Sequence, residues 1–96
     1  MAERFTALFR VTGTYCHPEA DDKAYADLRR LARRENDESM ARFKEELRRA
    51  LTCPEELPGA ELYREVQYDD GSADRFLRRL WHDLYPDEPT PTPEKR

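Results

Sequence analysis

A chain of 96 residues holds one small domain with one modest core. Apolar residues make up 38% and charged residues 40%, so the core is narrow and the surface heavily ionised, while four Phe, five Tyr and one Trp set the chain apart from disordered sequences. The net charge of −4 speaks against non-specific nucleic-acid binding, no apolar run approaches membrane-spanning length, no secretory leader is visible, and two cysteines make no disulfide framework. A cytoplasmic protein with free thiols is the expectation.

In chain order, Phe5, Leu8 and Phe9 stand at helical spacing within 3–12 and predict a short first helix that stops near Gly13. Thr14-Tyr15-Cys16-His17-Pro18 follows as a loop, because a proline biases the residue before it towards extended backbone. Asp21 or Asp22 can cap a second helix with Ala24, Tyr25, Leu28, Leu31 and Ala32 on one face. Its other face is basic: Lys23 to Arg34 carries five bases and a single acid, Asp27. Asn36 is the expected cap of a third helix, which turns Met40, Phe43, Leu47, Ala50 and Leu51 inwards. Thr52 with Glu55 predicts a capping box, with Pro54 in the first turn. Pro58-Gly59 limits that segment to a short turn of helix, and a second short helix over about 60–66 buries Leu62 and Val66.

The strongest helical pattern comes last. Ala73, Phe76, Leu77, Leu80, Trp81 and Leu84 form a wide apolar stripe, Ser72 stands at the N-cap position, and Pro86 stops the helix. Ahead of it lies a polar turn, Asp69-Asp70-Gly71, approached through Tyr68. Four of the seven prolines fall in 86–96, so residues 87–96 are expected to be a disordered tail after a bundle domain of 1–86. The predicted fold is all-α: a small single-domain bundle of three longer helices plus one or two short ones.

Charge is uneven. From Thr52 to Asp74 there are seven acids and one base, Arg64. Such a surface steers towards a basic partner, or is simply a solvated face balanced by the basic helix at 23–34. With little positive charge close by in sequence, Asp69 and Asp70 are expected to repel each other and to serve binding, not folding. Tyr68 beside them suits an interface as well as it suits packing.

Catalytic chemistry finds little footing. Cys16, Cys53, His17 and His82 have no zinc-site spacing, and Cys16 and His17 are neighbours whose side chains diverge in an extended loop. No carboxylate lies in an apolar context that would raise its pKa, and the three glycines make no phosphate loop. Asp69-Asp70-Gly71 lacks the remaining oxygen ligands of a calcium loop. Arg75, Arg78 and Arg79 on the last helix suggest DNA contact, but the acids just before them would face phosphate.

Three features carry a family resemblance. An N-terminal helix runs into Tyr15-Cys16-His17; a central helix with Glu46-Leu47 and Leu51 is followed by Glu55-Glu56-Leu57; and Tyr68-x-x-Gly71-Ser72 leads into a helix with an aromatic and paired leucines, up to Leu80. In these the chain resembles the small helical immunity proteins of bacterial contact-dependent growth inhibition systems. In Leu62-Tyr63 and the acids that follow, it is similar, more weakly, to the colicin and pyocin nuclease immunity proteins. Both resemblances imply a protein that binds a toxin domain inside the producing cell and neutralises it without catalysis.

The expectation is therefore a cytoplasmic immunity-type protein, not an enzyme, with no cofactor and no metal. Its partner would be a cognate toxin domain, with no nucleic acid or membrane involved, blocked by occlusion through an acidic surface. Tyr68, Asp69 and Asp70 are the first candidates for the interface, then Glu61, Glu65 and Tyr63, with Tyr15 and His17 in the earlier loop. The alternative is a small regulatory adaptor or DNA-associated helical module.

Overall fold

The structure is a computed structural model and describes residues 5–17, 19–34 and 37–92. It is all-α, with no strand among those residues. Five helices follow one another: α1 (Thr6–Tyr15), α2 (Asp22–Ala32), α3 (Glu38–Thr52), α4 (Gly59–Val66) and α5 (Ala73–Leu84), with a 3-10 turn at Pro54–Glu56 before α4. No helix among the described residues is long and apolar enough to cross a membrane.

α5 forms where the apolar stripe places it. The Ser72 hydroxyl accepts the Arg75 N–H at 3.2 Å as N-cap, and Phe76, Leu77, Leu80, Trp81 and Leu84 are buried. α3 faces them with Met40, Phe43, Leu47, Ala50 and Leu51, all buried as the spacing predicts. α1 adds Phe5, Ala7 and Leu8, and α4 adds Leu62 and Val66. α2, α3 and α4 each pack on both α1 and α5, so these two helices hold the bundle together. α2 is an outer helix: Leu28 is its one fully buried side chain, while Tyr25, Leu31 and Ala32 lie partly covered against the core.

Several boundaries differ from the sequence reading, each for an identifiable reason. α1 does not stop at Gly13 but runs on to Tyr15, with Cys16 N–H closing the last turn on the Thr12 carbonyl at 2.8 Å. Gly13 is a point of close approach instead: a Cβ there would lie 3.4 Å from a Glu65 carboxylate oxygen of α4. Thr52 opens no capping box. It ends α3, and its hydroxyl donates back to the Arg48 and Arg49 carbonyls at 3.0 and 3.3 Å. The 3-10 turn is fastened from elsewhere, by a fork from Arg49 to Glu56 at 2.9 and 3.0 Å. Asp37 caps α3 by accepting the Met40 N–H at 3.1 Å; the expected cap, Asn36, lies outside the described residues.

One cap comes from another helix. α1 has no side-chain cap of its own, and its Leu8 N–H donates to Glu46 of α3 at 2.7 Å. An orphan donor in the first turn is thereby satisfied across 38 residues of sequence, which also locks α1 against α3.

The chain after α5 is fastened at one point. Glu88 forms an ion pair with Lys44, its carbonyl accepts the Trp81 indole N–H at 3.3 Å, and its own N–H donates to Tyr85 at 3.1 Å. Lys44 also stands over the Tyr85 ring, 4.7 Å from its centre. Glu88 thus ties the segment expected to be tail to Lys44, Trp81 and Tyr85. Residues 93–96 lie outside the described residues.

Leu80 is fully buried, so Leu80→Ala should lower stability by about 2–5 kcal/mol. His82 is exposed, and His82→Ala should stay within about 0.5 kcal/mol of the parent. Urea unfolding followed by circular dichroism measures both. For the tail, a chain ending at Thr92 should melt like the parent. A chain ending at Pro86 should lose about 1 kcal/mol, the worth of a hydrogen bond at the Trp81 indole.

Candidate functional site

The residues singled out in the sequence fall into two places. The first is a face built from α4 and the 67–72 loop. Leu62 and Val66 turn α4 inwards, which leaves Glu61, Tyr63 and Glu65 outside. Gln67 ends the helix in the left-handed region (φ 54°), and its N–H donates to the Tyr63 carbonyl at 2.7 Å. That turn brings Tyr68 back beside Tyr63. The two rings meet edge to face with centres 5.1 Å apart, and Tyr68 stacks on Phe76 of α5 at 5.2 Å with the ring planes 10° apart.

The outcome is a graded column of rings. Phe76 is buried, Tyr68 is half-covered, and Tyr63 is 52% exposed, the one large apolar side chain so exposed among the described residues. Burial is the main reason the Tyr68 phenol is pushed up from its ordinary pKa, with Tyr63 adding to it. On α4 and the loop after it, Glu61, Glu65 and Asp69 are exposed and have no ion-pair partner among the described residues. Glu61 and Glu65, two residues either side of Tyr63, lie on another flank of the helix, with a Glu65 carboxylate oxygen 3.4 Å from where a Gly13 Cβ would be.

Asp70 is the exception and a correction. It does not repel its neighbour in an unpaired turn. Arg79 of α5 grips it with a two-pronged fork, Nε to Oδ2 at 2.7 Å and Nη2 to Oδ1 at 3.0 Å. Its side chain is only 17% exposed, and the fork holds its carboxyl below the usual carboxylate range. Asp70 therefore fastens the loop, and Gly71 beside it takes the left-handed conformation (φ 96°) that the turn requires.

The second place is a polar cleft of about 460 Å³ at the junction of α1, α2 and α5. Tyr15 and His17 line it, as do Tyr25, Arg29 and Arg79. His17 is spent locally: its Nδ1 accepts the Glu19 N–H at 3.1 Å. The Tyr25 hydroxyl donates to Asp83 at 2.7 Å, and burial together with that carboxylate pushes its pKa up. Cys16 is pushed up to about 11, mainly by burial, which favours the thiol over the thiolate. No group of three or more His, Cys, Asp or Glu among the described residues is placed to hold a metal ion.

Tyr15 and His17 thus stand apart from Tyr63 and its acids, and Arg79 is the link. It lines the cleft, grips Asp70, lies 3.9 Å from Asp83 and covers the Phe76 ring at 5.6 Å. The sequence suggested Arg79 only as a DNA contact, against which the preceding acids spoke, and placed Phe76 in the core. The signal for their part here was present: Phe76, Arg79 and Asp83 share one flank of α5 at spacings of three and four.

Asp70→Asn should lower stability at neutral pH by about 0.2–1 kcal/mol, the range for an exposed ion pair with good geometry. The folded carboxyl is depressed, so the pair's contribution is present above the unfolded Asp value near 3.9 and is lost as pH falls through the folded value. Thermal melts from pH 7 down to pH 2 should show the variant and parent converging in the acid. No family model, curated protein or solved structure matches this chain.

Proposed function

We propose that this chain is a protein-binding module that docks a basic partner on the Tyr63 face, and that the partner is a toxin domain it neutralises by occlusion. The observation that carries the reading is the column of rings: a half-exposed tyrosine backed by Tyr68 and Phe76, on a helix and loop whose exposed acids Glu61, Glu65 and Asp69 have no ion-pair partner among the described residues. The resemblance to bacterial immunity proteins supports the choice of a toxin as partner.

The parts have separable roles. Tyr63 supplies the anchor, since a large aromatic held in one position loses little entropy on binding and gains its burial. Glu61, Glu65 and Asp69 need no internal bond broken before they pair with Lys or Arg, so they speed encounter and fix orientation. Asp70 and Arg79 keep the loop in place. Occlusion needs no chemistry from this chain, which fits a thiol held protonated at Cys16 and a His17 tied to its own loop. The alternative, a DNA-associated module read through α5, has less support: Asp74 holds Arg78 at 2.9 Å and Asp70 holds Arg79.

The test starts with capture of the partner from the native host and proceeds to rates. Tyr63→Ala should weaken the complex by about 2 kcal/mol or more, chiefly through faster dissociation. Glu61→Gln with Glu65→Gln should slow association at low salt and flatten its salt dependence, with melting unchanged. If both variants bind with the parent's rates, the face is a solvated surface and the reading fails.

A further inference from the structure

The face of α2 opposite its buried Leu28 is basic, and its Ala26 and Arg29 also border the Tyr15–His17 cleft. Ala26, Arg29, Arg30 and Arg33 bound a shallow groove of about 210 Å³ on this helix. Ala26 gives it a small apolar floor, and the arginines form the rim. Arg30 is tied to Asp27 at 3.0 Å, but Arg29 and Arg33 are exposed and have no ion-pair partner among the described residues. No described residue fills the groove, and the molecule carries the opposite charge elsewhere, on α4 and the loop after it. Tyr63 is an exposed aromatic knob on α4, a helix that also carries the exposed acids Glu61 and Glu65 and leads to Asp69; the groove is the Ala26 methyl between arginine side chains. An arginine plane stacks well on a tyrosine ring and forks well to a carboxylate. Knob and groove lie on separate helices, α4 and α2, each packed on α1 and α5, and the ring contact of Tyr63 is with Tyr68 and not with any arginine.

We propose that the α2 groove takes the Tyr63 face of a second copy of this chain, giving head-to-tail self-association. Two different surfaces meet, so each copy keeps one surface free and the pair keeps one of each, and growth continues unless the rotation closes a ring. The net charge of −4 opposes assembly at very low salt. At about 0.1 M salt the screening length is about 10 Å, so repulsion between whole molecules fades while charges in contact still attract. The interface is small, and the association is correspondingly weak. It covers the face that the proposed function assigns to the basic partner, so partner and self compete for Tyr63.

Sedimentation velocity over a concentration series at about 0.1 M and about 0.5 M salt tests this. The weight-average mass of the parent should climb above the monomer's at the lower salt and return to it at the higher. Arg29→Ala with Arg33→Ala disables the groove, and Tyr63→Ala with Glu61→Gln disables the knob. Each double variant should melt like the parent and stay monomeric alone, whereas an equal mixture of the two should form a dimer that grows no further. A parent that is monomeric up to millimolar concentration overturns the proposal. So does self-association that survives in either variant, which marks a symmetric dimer, and so does a monomeric parent whose groove arginines instead bind duplex DNA. The inference rests on reading the Tyr63 face as an interface but fails separately from it. If the parent is monomeric while Tyr63→Ala still loses the captured basic partner, self-association alone is wrong. The groove variant should bind that partner as the parent does.

Discussion

The loop between α4 and α5 depends on one side chain, Arg79. α5 needs only its apolar stripe to fold inwards, but Arg79 stands at the edge of that stripe and reaches four groups at once. It forks to Asp70, approaches Asp83, covers Phe76 and borders the cleft of Tyr15 and His17. Without the fork, the 67–72 loop would be held chiefly by the Tyr68–Phe76 stack and the Ser72 cap. A fork between a rigid guanidinium and a carboxylate 17% exposed fixes both distance and plane. That is how a loop with one left-handed residue at Gln67 and one at Gly71 can still hold Tyr68 and Asp69 in a defined arrangement beside α4.

The division of labour among the acids follows from where positive charge lies in space, not in sequence. Asp70, Asp74 and Glu56 are taken by Arg79, Arg78 and Arg49. Glu61, Glu65 and Asp69 are left over, as are Arg29 and Arg33 on α2. A chain with a small net charge thus carries two separate patches of opposite sign, each beside a little apolar surface. Internal pairs contribute to stability only modestly. The exposed acids and arginines left over have no ion-pair partner among the described residues.

The interior was legible in the sequence because it is periodic. The stripe of α5, the inward set of α3 and the caps Ser72 and Asp21 could be read directly, since a 3.6-residue repeat and a cap one residue before it are local signals. What escaped was set by tertiary contact. Gly13 has every local reason to end α1, yet the helix continues and uses it for close approach to α4. Thr52 and Glu55 match a capping box, yet Thr52 is already committed to the last turn of α3. The bonds Glu46–Leu8, Lys44–Glu88 and Asp70–Arg79 join residues 38, 44 and 9 apart in sequence, beyond any helical period. Of the candidate site, the acids and tyrosines were legible as a cluster, but which of them fold the loop and which face outwards depends on Arg79.

The central claim is that a pre-formed Tyr63 face receives a basic protein. The most direct measurement is a titration of the 15N-labelled chain with that partner, once captured, followed by backbone amide shifts. The account predicts shifts concentrated at Glu61, Tyr63, Glu65, Tyr68 and Asp69, with the amides of α3 nearly still because the face does not rearrange to bind. Shifts centred on α2 or on the Tyr15–His17 cleft, or spread through the core of α3 and α5, would contradict it.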